Sequence, residues 1–253
     1  MPTIDLNADL GEGFGIYRLP QEPGLLPLVT SASIACGAHA GDPMVMRDTV
    51  AAALRAGVVI GAHPGYPDRE GFGRRELGAS PAEITASVVA QVGALAAVCV
   101  AAGGRLRYVK PHGALYNRAA RDPAAARAIA VAVHGVDPSL ALLGLDGSVM
   151  LREAEELGLA AVREAFVDRA YLPDGSLVPR SEPGALLDDP TVVADRALRM
   201  VLEHHVVAVD GTRRLMRPQS LCVHGDGLHA VALVQAVRLR LTEAGVAIAP
   251  FVT

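Results

Sequence analysis

Eight short apolar runs punctuate this sequence from end to end, with stretches of helical pattern between them: TIDLNADL (3 to 10), SASIAC (31 to 36), VVIGAH (58 to 63), LRYVKPH (106 to 112), LALLGL (140 to 145), AVREAFVD (161 to 168), SLCVHGD (220 to 226) and AIAPFV (247 to 252). Strands separated by helices cannot pair as tight hairpins. Each must return by a crossover, which builds a parallel sheet with helices on its outer face. An acid followed by proline marks the start of three of the intervening helices, at Asp42-Pro43, Asp122-Pro123 and Asp189-Pro190, where the carboxylate caps free N–H groups and proline takes the first helical position. A length of 253 residues suits one such unit. The expected fold class is therefore α/β: a single TIM-like (β/α) barrel of seven or eight parallel strands spanning residues 1–253.

The interval from 168 to 218 breaks the rhythm. It holds DRAYLPDGSLVPRSEPGALL and VVAVDGTRRLM, each with Asp-Gly between extended runs, so β-hairpin excursions are expected near 169–182 and 206–217, with type I′ turns. Residues 84 to 104 are uncharged and long enough to cross a bilayer. They follow Ser80-Pro81-Ala82-Glu83, a capping box, and carry Thr85, Ser87 and Gln91, which favours a buried helix over a membrane span. A net charge of −4 leaves no basic surface for nucleic acid. The three cysteines, Cys36, Cys99 and Cys222, form no C-x-x-C pair, and a reducing cytoplasm is the expected location.

In a parallel barrel, reactive side chains collect where strands end, because those ends share one rim. Strand one ends in Asn7, Asp9 and Glu12, strand two in His39, strand three in His63, and strand four in Lys110 and His112. Strand six ends in Asp168 and Arg169, and strand seven in His224 and Asp226. Four of the eight histidines thus fall at strand ends, while His134, His204, His205 and His229 fall in or beside predicted helices. Lys110 is the one lysine among 23 basic residues, and a compact ammonium there suits an anionic partner. Imidazoles and carboxylates on one rim offer general bases, metal ligands, or both. Asp9, His39 and His63 could ligate a divalent metal with an open position, and a metal-free acid–base site fits the same residues. Dinucleotide, P-loop and nucleophile-elbow motifs are absent.

The stretches DLNADLGEGFG (5 to 15), SIACGAHAGDP (33 to 43), GAHPGYPDREGFGRR (61 to 75), VKPHGALYN (109 to 117), EAFVDRAYLPDGSLVPR (164 to 180) and VHGD (223 to 226) resemble the LamB/YcsF family over nearly the whole chain. Ser33 is a departure, since the family's segment has Asn there. The resemblance implies a barrel of the glycoside hydrolase and polysaccharide deacetylase type. It implies ATP-coupled opening of the lactam of 5-oxo-L-proline to L-glutamate, with ATP as co-substrate, in a complex with 5-oxoprolinase subunits B and C. On that reading Asp9, His39, His63, Lys110 and His112 are catalytic candidates, Lys110 and Arg169 hold anionic oxygens, and Asn7, Glu12, Asp168, His224 and Asp226 complete the substrate site. The hairpin excursions become docking surfaces. Two other readings use the same rim: a stand-alone metal-dependent deacetylase or amidohydrolase, and a non-catalytic subunit that binds substrate.

Overall fold

The computed structural model describes residues 1–224 and 229–252. Its strands are β1 (Thr3–Leu10), β2 (Ser31–Ala35), β3 (Val59–His63), β4 (Tyr108–Val109), β5 (Ala141–Leu145), β6 (Ala161–Phe166), β7 (His205–Val207), β8 (Arg213–Leu215), β9 (Ser220–Cys222) and β10 (Ala247–Ile248). Strands β1 to β6 pair in order, β6 pairs with β9, and β9 returns to β1, all in parallel. The barrel therefore closes on seven strands. The eighth predicted run, β10, pairs only with the start of β1, at Thr3 and Ile4, just below the point where β9 joins at Asp5.

The helices are α1 (Glu22–Leu25), α2 (Pro43–Ala56), α3 (Pro81–Ala101), α4 (Gly113–Ala119), α5 (Pro123–Val136), α6 (Val149–Glu156), α7 (Pro190–Leu198) and α8 (Ala230–Glu243). The predicted caps form: Asp42, Asp122 and Asp189 each accept two backbone N–H groups, and Ser80 with Glu83 makes a reciprocal capping box. Among the described residues α3 is the one helix long and apolar enough to cross a membrane. It lies on the barrel with Ile84, Val88, Val92, Leu95 and Cys99 buried. Its Gln91 accepts from the Gly65 N–H (3.0 Å) and donates to the Gly65 carbonyl (2.8 Å), so a side chain unsuited to lipid clamps the loop after β3.

Two excursions leave the barrel where expected, with different turns. A type I′ turn needs positive φ at both central residues, yet Gly175 (φ 90°) and Gly211 (φ 87°) have it while Asp174 and Asp210 do not. In each hairpin a three-residue loop places the aspartate before a left-handed glycine, and the aspartate carboxylate accepts from the N–H two residues on, at Ser176 and Thr212. The second excursion carries the antiparallel pair β7–β8, so His205 begins a strand and not a helix end. The first is held by isolated bridges, Arg169 to Leu186 and Tyr171 to Leu177.

The barrel interior changes character along its axis. Tyr108, Ala141, Leu143 and Val162 fill one end, closed by Phe251 and Val252. The Tyr108 ring can lie across the neighbouring strand because Gly61 stands there; a Cβ on Gly61 would sit 2.2 Å from ring atoms. Ser33, the departure noted above, is buried beside this ring, with its Oγ 3.1 Å from the Tyr108 hydroxyl. We expect Gly61→Ala to lower unfolding free energy by about 1–3 kcal/mol, the usual range for overpacking. Chemical denaturation checks this, and an unchanged midpoint would show that the ring has room to move.

A candidate active site on the carboxyl rim of the barrel

Strand β1 sorts its residues by the two-residue period of a strand. Ile4, Leu6, Ala8 and Leu10 join the main core under the helices, and Asp5, Asn7 and Asp9 alternate with them to face the barrel interior. Deepest is Asp5, whose carboxylate accepts from the hydroxyls of Thr30 (2.6 Å), Ser31 (2.6 Å) and Ser220. Burial outweighs those bonds and raises its pKa to about 6. One layer up, Asn7 donates to Glu164 (2.9 Å) and Ser220 (2.7 Å), and Tyr116 donates to the other Glu164 oxygen (2.9 Å). Glu164 escaped the sequence reading, although a carboxylate inside the apolar run AVREAF was its signal.

Lys110 stands at the centre of this column, 1% exposed. Its ammonium lies 2.8 Å from Asp9 Oδ1, 2.9 Å from Glu164 Oε1, 3.0 Å from Asn7 Oδ1 and 3.2 Å from Cys222 Sγ. Four acceptors already surround three N–H groups. The sequence suggested an ammonium holding substrate oxygens; the structure directs it at protein groups. Burial opposes the charge, but Asp9, Cys222 and Glu164 overcome that and raise the lysine well above its ordinary pKa. Burial likewise works against the Asp9 carboxylate, and the attraction of His63 and Lys110 wins, holding it well below the usual range.

Above Asp9, three of the four strand-end histidines meet. His63 and His112 lie edge to face at 4.9 Å, and His39 stacks on His112 at 3.8 Å with the rings parallel. His63 donates from Nδ1 to the Lys110 carbonyl (2.7 Å), and His112 donates from Nε2 to the Phe72 carbonyl (2.8 Å). The other nitrogens, His63 Nε2 and His112 Nδ1, face each other at 3.0 Å. Glu12 Oε1 stands 3.1 Å from His39 Nε2 and 3.4 Å from His112 Nδ1. Burial depresses His39 to about 3 and, with the neighbouring imidazoles, His112 well below its ordinary value. The loop GFGRR fits around this cluster: Phe72 is in the left-handed region (φ 53°), and a Cβ on Gly73 (φ 64°) would lie 2.7 Å from His39 Cβ.

Glu12, His39, His63 and His112 bring one donor atom each within 4.8 Å of one another, an arrangement able to hold a metal ion. Asp9, expected as the carboxylate ligand, stands one contact away, with Oδ2 3.3 Å from His63 Nε2 and Oδ1 on Lys110. His224, the fourth strand-end histidine, lies apart from the cluster. Its backbone N–H (2.9 Å) and Nδ1 (3.0 Å) bond to Asp168, and its ring stacks on Phe166. Arg169 donates to the carbonyls of Val178 (2.6 Å) and Ala185 (3.4 Å), pinning the first excursion. Asp226 falls outside the described residues. A cavity of about 840 Å³ joins these parts, lined by Asp9, Glu12, His63, His112, Arg169 and His224 and by residues of the excursion that carries Arg180.

Fold and site together define a β/α-barrel protein whose titratable groups gather on the rim where such barrels carry their chemistry. The LamB/YcsF family model matches residues 4–253, and the chain belongs to that family. A protein of Geobacillus thermodenitrificans named as the A subunit of 5-oxoprolinase is 51% identical over 98% of this chain and 96% of its own length. One of Mycobacterium avium with the same name is 53% identical over 99% of this chain and 100% of its own. The crystal structure of a lactam utilization protein from Thermus thermophilus, 48% identical, superposes with a TM-score of 0.92 over 98% of this chain and 100% of that one.

Two stability measurements test the buried column. Lys110→Met strands Asp9 and Glu164 without their counter-ion and should cost about 3–5 kcal/mol, partly recovered by adding Glu164→Gln. A lysine that served substrate alone would leave the denaturation midpoint unchanged. The raised Asp5 carboxyl contributes stability that is present in full below about pH 4 and lost as pH rises through about 6. Between those limits the wild type should lose on the order of 3 kcal/mol relative to Asp5→Asn. Parallel pH profiles for the two proteins would refute the assignment.

Proposed function

We propose that this chain is a 5-oxoprolinase subunit that binds 5-oxo-L-proline in the rim cavity and opens its lactam to L-glutamate, coupled to ATP hydrolysis within a complex with subunits B and C. The observation that carries this reading is near-full-length identity of about half to proteins named as the A subunit of 5-oxoprolinase. The cavity supports it. Its volume far exceeds what a five-membered lactam fills, which leaves space for a phosphoryl group or nucleotide, and Arg74, Arg121, Arg169, Arg180 and Arg214 along its walls favour anions. The dependence on ATP fits a cytoplasmic setting.

A lactam carbonyl is a poor electrophile because amide resonance stabilises it. Transfer of the γ-phosphoryl of ATP to the lactam oxygen releases ADP and leaves an activated carbon. Water then adds to that carbon while Asp9, kept ionised by Lys110, takes its proton. As the C–N bond breaks, the same proton passes to the ring nitrogen and the added hydroxyl gives up its own to the freed amine, leaving a γ-acyl phosphate and an ammonium. A second water hydrolyses it to L-glutamate and phosphate. His224, oriented by Asp168, positions the substrate with Arg169, while Glu12, His39, His63 and His112 polarise the reacting group. Lys110 acts through Asp9 and not on the substrate.

Reconstitution tests this. The chain alone should release no glutamate from 5-oxoproline, and the complex with ATP should release glutamate and phosphate in equal amounts. Asp9→Asn in the assembled complex should lower kcat by about 10²–10⁴-fold, the contribution of a positioned base. Wild-type turnover in that variant would remove Asp9 from the chemistry.

A further inference from the structure

The two imidazoles at the heart of the rim have their tautomers chosen for them. A carbonyl oxygen only accepts, so His63 must carry its proton on Nδ1 toward Lys110 and His112 on Nε2 toward Phe72. Without a second proton or another cation the two rings would point bare lone pairs at each other across 3.0 Å, and both residues are at most 5% exposed. Two acceptors do not approach so closely unless something electropositive lies beside both. A single proton would relieve that one pair. It would not explain why two further donors reach the same point from other elements: Glu12 Oε1 from the turn after β1, at 3.4 and 4.0 Å from the two nitrogens, and His39 Nε2 from the loop after β2, 3.1 Å from Glu12.

The spacing approaches that of a coordination shell. Bonds of about 2.1 Å to a tetrahedral ion put donors about 3.4 Å apart; four of the contacts here are 3.0, 3.1, 3.4 and 4.0 Å, all four donors lie within 4.8 Å of one another, and His39, parallel to His112, has to turn out of that stack to share the ion. The carbonyls behind His63 and His112 do what outer partners of metal-bound histidines do, fixing ring orientation and tautomer. Charge points the same way. Asp9, Glu12 and Glu164 bring three buried carboxylates to the site, and Lys110 brings one buried ammonium. The carboxylates outnumber the ammonium, which favours a cation there. We propose that Glu12, His39, His63 and His112 are the ligands of one divalent transition-metal ion in this chain. Three nitrogens with one carboxylate suit Zn²⁺, Co²⁺ or Mn²⁺ better than the all-oxygen preference of Mg²⁺ or Ca²⁺. The ion would face the cavity beside Asp9 and supply a Lewis acid there.

The test needs no turnover, so it stands or falls apart from the proposed reaction. The full chain is stripped with chelator, dialysed against Zn²⁺, Co²⁺, Mn²⁺ or Mg²⁺ alone, and its metal content measured. One equivalent of transition ion should remain, with no Mg²⁺, a raised thermal midpoint and, for Co²⁺, visible bands of a four- or five-coordinate site. Glu12→Gln and His112→Asn, checked for folding by circular dichroism, should weaken binding at least about 100-fold, since even outer-shell changes cost up to that much. His205→Ala, a histidine outside the cluster, should bind as wild type. Folded wild-type chain that takes up none of these ions overturns the assignment, whatever the variants do. So does undiminished binding in folded Glu12→Gln and His112→Asn.

Discussion

Everything on the rim depends on one buried ammonium. Lys110 reaches from the end of β4 into a barrel that offers Asn7 and Asp9 from β1, Glu164 from β6 and Cys222 from β9, so a single cation ties four strands together across the axis. A charge there survives only because its hydration is replaced group for group by protein acceptors. Arginine could not take its place: a flat guanidinium sends its N–H groups out in one plane, whereas these acceptors surround a point. The chain carries 23 basic residues and uses lysine only here, which is what that geometry demands.

The same constraint divides the barrel lengthwise. A lysine held by carboxylates needs a polar upper interior, so the inward positions of β1 are Asp5, Asn7 and Asp9 and those around them are Ser31, Ser220 and Glu164. The lower interior has no such charge to satisfy and is filled with Tyr108, Leu143 and Val162. Ser33, Gly61 and Ala141 are small because Tyr108 must fold its ring across the barrel at their level. Polar and apolar packing thus occupy one continuous sheet, and the alternation of side chains along each strand keeps both separate from the helix-facing core.

The strands were legible in the sequence because each is a short apolar run bounded by capped helices, and all eight predicted runs formed strands. The rim was legible in part: His39, His63 and His112 converge because each closes a strand on the same side. His224 does not join them, since it bonds to Asp168 and stacks on Phe166. What the sequence concealed was direction and partnership. Asp5, Asn7 and Asp9 follow the two-residue period that sends all three inward, yet nothing local says that a glutamate 155 residues beyond Asp9 faces the same lysine. The linear order also favoured Asp9 over Glu12 as the histidines' carboxylate. Only the turn at Gly11, with φ 71°, carries Glu12 over the imidazoles while Asp9 stays below with Lys110.

The loops, more than the strands, decide what those imidazoles can do. Phe72 adopts a left-handed conformation that a bulky side chain resists, at a cost on the order of 1 kcal/mol or more. That conformation aims its carbonyl at His112 while its ring packs edge-on against His39 and His112. Gly73 then lets the backbone press against both rings, where any side chain would push them apart. Strain accepted in one loop therefore fixes a tautomer in another, and it exposes the His112 lone pair toward His63 instead of letting the rings satisfy each other. A barrel selected for stability alone would relax that loop.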